Sequence, residues 1–479
     1  MASLKGNIIL NYINTLSGLI FPIVTYPYAA RVLLPEGIGV VNFQNSIIHY
    51  IVLLTSLGLP LYATREVARC RNDRDLLNQT TIEIVLLSVI LCFIGYVGVF
   101  LIGEFVPRVN QDLSLFYILS LSIIFTGVGV SWFYQGIEDF LFITGRGLIV
   151  RIASAVSLLV FVKSKEDILI YALVIVGSTV GNNLINFIHL RKYIDLKKIE
   201  WRQLHLIRHI KPAFQAFLIS VIASIYLVLN TIVLGFMTDN ETVGLFTSGT
   251  KITHILIVIL ASLSSVLLPR CSHLIGEGKI DQFNELMKKS YYLLMFSAIP
   301  ISLGCLLISR PMTLCFCGEN YEGSISVVMW TAPTVLFAGL SNLICFQILY
   351  PYGKDKIFTF STFVGALISL VLNFILIPIL GANGAAIATF SAELWIVVSL
   401  SYLGRKFIPF SFIDKQVGTY LLAVILMTIG IFPCYMIQNI WIQMICMIIL
   451  GSSIYILVLY LRKDIILKEV LTTLRIKGK

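Results

Sequence analysis

Between Gly6 and Leu461 the sequence is a succession of apolar stretches, each close to the ~20 residues a helix needs to cross a bilayer. A chain built this way must satisfy its backbone without water, so each span is either a helix or a strand of a closed barrel. Barrel strands alternate apolar and polar residues, and stretches such as 82–100 and 420–431 do not. The expected class is therefore an all-α polytopic membrane protein. Charged residues make up 13% of the chain, about half the share usual in soluble domains.

The pattern predicts fourteen transmembrane helices, at 7–30, 38–62, 80–103, 113–134, 143–162, 168–190, 213–237, 243–268, 290–309, 325–350, 357–376, 384–403, 416–437 and 440–461. The first is expected to be a retained helix. Of 35 Lys and Arg residues, 28 fall in the termini and even-numbered loops and five in the odd-numbered loops. Positive charge marks the cytoplasmic side, so both termini are expected in the cytoplasm. The net charge of +10 then reports topology, and nucleic-acid binding is not expected.

The longest hydrophilic stretch, 191–212, is basic and follows span six. It divides the chain into an N-terminal lobe (1–190), a linker (191–212), a C-terminal lobe (213–403) and an appendage of two spans with a basic tail (404–479). A faint repeat supports two lobes. Glu36, Gly39 and Arg65 recur as Glu241, Gly244 and Arg270, and Leu190-Arg-Lys recurs as Gly404-Arg-Lys. An even number of spans per repeat gives both lobes the same orientation, as in parallel-repeat transporters.

Function is expected in polar groups kept at membrane depth, where they are costly without a partner or water. Span one carries Asn7, Asn11, Asn14, Gly18, Pro22 and Thr25 at helical spacing, on one face. The face reads either as a cavity wall for sugar hydroxyls or as interhelical packing. Pro22 and Pro27 are expected to bend its outer part. Span two adds Asn42, Asn45 and His49, and span six adds Thr179, Asn182, Asn186 and His189. His49 reads as a packing residue ahead of a proton relay. Four cations, Arg31, Arg146, Arg151 and Lys251, are candidates to hold a phosphate. Snorkelling to the interface is the competing reading for Arg31 and Arg146. Glu393 is the carboxylate nearest a span centre, either a structural partner or an ion-coupling site for a proton or Na⁺. Glu83, near a span end, is expected among headgroups.

No P-loop motif is present, and no loop is long enough to form a catalytic domain. No cofactor, catalytic residue or metal is expected. Cys315 and Cys317 fall in the longest outer loop, 310–324, and their spacing is poor for a disulfide or zinc.

Five stretches then resemble one family. Tyr26-Pro-Tyr-Ala-Ala-Arg-Val-Leu-Leu-Pro-Glu-Gly-Ile-Gly is similar to the opening signature of bacterial O-antigen-type flippases for lipid-linked oligosaccharides, within the multidrug/oligosaccharidyl-lipid/polysaccharide exporter superfamily. Gly58 to Asp73, Trp132-Phe-Tyr-Gln-Gly-Ile-Glu-Asp and Pro351-Tyr-Gly-Lys-Asp-Lys resemble later patterns. So does Asn373-Phe-Ile-Leu-Ile-Pro-Ile-Leu-Gly-Ala-Asn-Gly-Ala-Ala-Ile-Ala-Thr, followed by Glu393. The resemblance covers the whole chain. It implies two six-helix lobes around a central cavity, alternating access, and an undecaprenyl-pyrophosphate-linked oligosaccharide as substrate at the bacterial inner membrane. Membrane lipids and other polysaccharide assembly proteins are the partners it implies. Alternative functions are a cation-coupled drug exporter of the same superfamily and a membrane polysaccharide polymerase or ligase. The polymerase or ligase reading is disfavoured by the short outer loops.

Overall fold

The structure is a computed structural model that describes residues 4–195 and 201–477. Its described residues form helices joined by short turns. They are α1 (Leu4–Ser56), α2 (Leu59–Cys70), α3 (Arg74–Phe105), α4 (Pro107–Asn110), α5 (Leu113–Gly127), α6 (Ser131–Gly136), α7 (Phe140–Phe161) and α8 (Ile168–Leu190). There follow α9 (Ile207–Met237), α10 (Asn240–Gly276), α11 (Ile280–Leu307), α12 (Ser309–Cys317), α13 (Ser324–Asn342), α14 (Asp355–Leu380) and α15 (Ala382–Leu403). The last are α16 (Lys415–Ile431), α17 (Ile440–Leu461) and α18 (Ile465–Lys477).

Among the described residues, twelve helical segments are long and apolar enough to cross a membrane. Thirteen of the fourteen expected spans map onto them. The first two share the single segment Ile13–Cys70, and the seventh lies on α9, of which Val228–Met237 is a shorter apolar helix. The two spans of α1 run together through the expected first loop. Its backbone leaves helical values at Leu34 (φ 61°, ψ 172°), not at Pro22 or Pro27. The following Pro35 excludes Leu34 from the helical region, so the proline that matters for the kink is the third.

Side-chain caps set several boundaries. Asp73 accepts from the Asp75 and Leu76 amides, each at 3.1 Å, and Asp139 accepts from Phe142 N at 3.2 Å. Asp414 and Asn439 serve α16 and α17 in the same way. Each cap satisfies amides that helical geometry leaves orphaned. The expected outer loop at 310–324 is largely α12 and a short 3₁₀ turn, and it buries both Cys315 and Cys317. The stretch read from the sequence as a loop is thus helical, and both thiols are enclosed by the fold.

Packing divides the chain into two compact units, Met1–Gly244 and Leu245–Lys479. The boundary read from the sequence at 191–212 follows the repeat, whereas this one follows contacts, and α9 packs against α1 and α2. In the first unit the two repeat-related glycines meet each other's backbones. A Cβ on Gly39 would sit 1.7 Å from the Asn240 carbonyl oxygen, and one on Gly244 would sit 1.9 Å from that of Pro35. Only a residue without a side chain permits that approach. Arg108 ties the same turn down, donating to the Gly235 and Thr238 carbonyls and, at 2.8 Å, to Asn240 Oδ1.

Glu83 is not at a headgroup surface. It is fully buried and accepts from Gln79 Nε2 (3.0 Å), His205 N (2.9 Å), Arg208 (2.7 Å) and His209 Nε2 (2.7 Å). His209 Nδ1 lies 2.8 Å from the Tyr62 hydroxyl. A neutral His209 with its proton on Nε2 donates to Glu83 and accepts from Tyr62, satisfying both nitrogens. The end of the basic linker is thereby pinned to α2 and α3.

Loss of this carboxylate should be costly. Glu83→Ala leaves several donors without an acceptor, and the expected destabilisation is roughly 3 kcal/mol, the low end for a broken buried pair because Arg208 keeps access to water. Thermal unfolding of the solubilised protein measures it. The network should also respond to pH. Burial pushes the His209 imidazole below its ordinary value, against the pull of Glu83. A depressed imidazole contributes stability above its unfolded pKa of about 6.5 and loses it as pH falls further. The unfolding temperature should therefore drop between pH 7.5 and 5.5, both chosen to bracket about 6.5, and His209→Gln should flatten that drop.

Candidate functional site

The first unit brings together part of the expected site. Helix α7 packs against α1 on one side and α8 on the other. Arg146 and Arg151 are five residues apart, so at ~100° per residue they leave α7 on different faces. The structure uses both. Arg151 Nη1 donates to Asn14 Oδ1 at 3.0 Å, to the Asn14 carbonyl at 3.2 Å and to Ser17 Oγ at 2.5 Å. Gly18 and Gly147 make room for it. A Cβ on Gly18 would lie 3.5 Å from Arg151 Nη2, and one on Gly147 would lie 3.2 Å from Asn14 Oδ1. Among the described residues, Arg151 Nε and Nη2 make no hydrogen bond, so most of the guanidinium fork is open to a ligand.

Arg146 turns the other way, to α8. Its Nη1 donates to the Asn182 carbonyl at 3.0 Å and to Asn186 Oδ1, and its guanidinium lies 5.8 Å from the Phe142 ring centroid. Asn186 is fully buried and is itself fixed: its Nδ2 donates to the Gly129 carbonyl at 2.6 Å. The Tyr134 hydroxyl donates to the Asn186 carbonyl at 2.7 Å. Around this point Tyr134, Phe142 and His189 stack, with the Phe142 and His189 rings 4.0 Å apart.

The remaining candidates are more scattered. Asn42 and Asn45 are half-buried and His49 is exposed, all on the second half of α1, while Gln44 on its other face is buried and donates to the Val109 and Asp112 carbonyls. Arg31 is exposed near the kink. The side chains of Asn7 and Asn11 lie outside the described residues. Lys251 and Glu393 belong to the second unit, on α10 and α15. Lys251 is half-buried, and beside it Thr253 donates to Thr331 Oγ1 at 3.3 Å, linking α10 to α13. Glu393 is buried.

Sequence reasoning placed Asn14 and Arg151 among the site residues without pairing them. It passed over Ser17, Gly147 and the bracing of Arg146 by Asn182 and Asn186. The signal for that bracing was present: the two asparagines are four residues apart on α8, hence on one face.

Residues 4–275 match the family model described as polysaccharide biosynthesis protein, and residues 215–375 match the one described as MatE. The "Putative O-antigen transporter" of Escherichia coli (strain K12) is 24% identical over 391 residues, covering 82% of this chain and 94% of that protein. The "Lipid II flippase MurJ" of Bacillus subtilis (strain 168) is 25% identical over 171 residues, 35% of this chain and 30% of its own length. Among solved structures, the lipid II flippase MurJ in an inward closed conformation superposes with a TM-score of 0.72 at 17% identity, over 96% of this chain and 99% of that one. An inward-facing multidrug resistance MATE transporter gives 0.62 at 16% identity, over 84% and 97%. At such identities the structural likeness is one of fold.

The two small residues on α7 should separate propensity from contact. A Cβ on Gly145 meets nothing within 4 Å, so Gly145→Ala should stabilise by about 0.5–1 kcal/mol through the helix backbone alone. Gly147→Val crowds Asn14 and Arg151 and should lower the unfolding temperature. Equal gains from the two changes would mean that the Asn14–Arg151 contact moves aside freely.

Proposed function

The chain belongs to the family described as polysaccharide biosynthesis protein, and from that membership we propose a multi-pass flippase that moves undecaprenyl-pyrophosphate-linked oligosaccharide across the bacterial inner membrane. The observation that carries the proposal is Arg151. A guanidinium at membrane depth is held by one nitrogen to Asn14 and Ser17, with the rest of its fork open among the described residues. A planar fork matches phosphate oxygens, and charge-assisted hydrogen bonds strengthen where water is scarce. The polar face of α1, with Asn14, Asn42, Asn45 and His49, would offer donors and acceptors to sugar hydroxyls. Asn7 and Asn11 extend that stripe in sequence. Lys251 and Arg31 would add charge along the path as two lobes alternate in access.

The names of the relatives support transport in place of catalysis. Both termini lie in the cytoplasm in this reading, on the charge asymmetry of the loops. Glu393, buried on α15, is the place for proton or Na⁺ coupling, or for pairing with a cation. The match of 215–375 to the MatE model favours, as a second reading, cation-coupled drug export. Loss of surface polysaccharide with unchanged drug resistance separates the two.

The arginines should behave differently from each other. Arg151→Ala should abolish surface polysaccharide while the protein stays at normal abundance in the membrane, because the Ser17 hydroxyl still donates to the Asn14 carbonyl at 2.9 Å and is not left without a partner. Arg151→Lys should keep part of the activity, since the charge remains and the fork is lost. Arg146→Ala should lower abundance as well as export, because it strips a buried partner from Asn186. If Arg151→Ala lowers polysaccharide and protein together, Arg151 is a structural cation and the assignment fails.

A further inference from the structure

The second unit carries an open groove of about 440 Å³ at the end of α15, lined by none of the residues assigned above. Its walls are Leu340 of α13, Val397 and Val398 of α15, and Phe412 from the segment leading to α16. Its mouth is formed by Tyr402 and Arg405. The walls are apolar apart from Ser401, whose hydroxyl already donates to the Val397 carbonyl at 2.6 Å, and the volume is within the ~300–1,000 Å³ range of small-molecule sites. The mouth is cationic. The Arg405 guanidinium lies 4.9 Å from the Tyr402 ring centroid, and among the described residues no carboxylate pairs with it. Lys406 follows directly, and Lys354 Nζ lies 5.8 Å from the centroid of Phe407 in the same turn. Cations seated on aromatic rings at the end of an apolar helix sit at headgroup level. Basic segments there attract anionic lipid.

We propose that this groove binds one anionic glycerophospholipid of the bilayer, with its phosphate on Arg405 and an acyl chain along Val397 and Val398 toward Leu340. The complementarity is in both parts: an apolar channel opening onto a single guanidinium suits one chain below one singly charged phosphodiester. Phe412 lies in the stretch whose backbone carbonyl accepts from the Tyr291 hydroxyl at 2.8 Å. A seated lipid would therefore fasten the connection into α16 to the body of the unit.

Native mass spectrometry of the full-length protein in detergent, titrated with phosphatidylglycerol or phosphatidylethanolamine, tests the proposal. The parent protein should retain one phosphatidylglycerol in preference to phosphatidylethanolamine. Arg405→Ala should weaken that retention roughly tenfold, the scale of one lost charge-assisted contact. Val398→Trp, which fills the groove and keeps the charge, should weaken it similarly. Val398 and Arg405 are both exposed in the protein, so neither change should disturb folding, and size-exclusion profiles check this. Val371→Trp, on an exposed position of α14, should change nothing. Unchanged retention by Arg405→Ala and Val398→Trp would overturn the proposal. So would displacement of the bound phosphatidylglycerol by an equal concentration of polyprenyl phosphate, which would give the groove to an isoprenoid tail.

Discussion

A bilayer offers no hydrogen bonds, so each polar side chain carried into it needs a protein partner or a hydrated surface. This constraint acts on the few charges of the chain in different ways. Glu83 has its bonding capacity taken up by neighbours, accepting from Gln79, His205, Arg208 and His209. Arg146 and Arg151 are each held through Nη1 alone, Arg146 to Asn182 and Asn186 and Arg151 to Asn14 and Ser17. They differ in the rest of the guanidinium: among the described residues Arg146 Nε is sealed in without a partner, and the unbonded nitrogens of Arg151 are not sealed in. A cation oriented through one nitrogen and reachable at the others is what a ligand-binding site requires.

Spans one and two are two helices that meet at Leu34 and Pro35, where the backbone leaves helical values in a tight turn. The tight approach of Pro35 and Gly39 to Asn240 and Gly244 then brings the two repeat-related turns into backbone contact within one compact unit. Residues that looked like a weak echo in the sequence are a matched pair of bare backbone surfaces.

Much of the fold was legible from hydropathy, because span length and apolarity are local properties. The polar stripe of α1 was legible for the same reason: Asn14 and Gly18 share a face by spacing alone. What escaped were partnerships across long separations. Glu83 and His209 are 126 residues apart, and nothing in either neighbourhood announces the other. The linker read as a basic hydrophilic stretch between lobes, and two of its residues, Arg208 and His209, are partners of the buried carboxylate. Cys315 and Cys317 escaped for a smaller reason. A short helix between two spans has too few residues for periodicity to show which side it buries.

The contrast between Arg146 and Arg151 also bears on how one helix can serve packing and transport at once. Both side chains leave α7 within about a turn and a half, yet they meet different chemistry. Toward α8, Asn186 is clamped by Gly129 and Tyr134, so its amide oxygen is a fixed acceptor and Arg146 is immobilised against it. Toward α1, the acceptors are Asn14 and Ser17, linked to each other by the Ser17 hydroxyl donating to the Asn14 carbonyl at 2.9 Å, beside two glycines whose lack of a side chain admits the guanidinium. An anion arriving at the unbonded side of Arg151 would meet a donor already oriented by Asn14 and Ser17, while Arg146 keeps α7 fixed against α8.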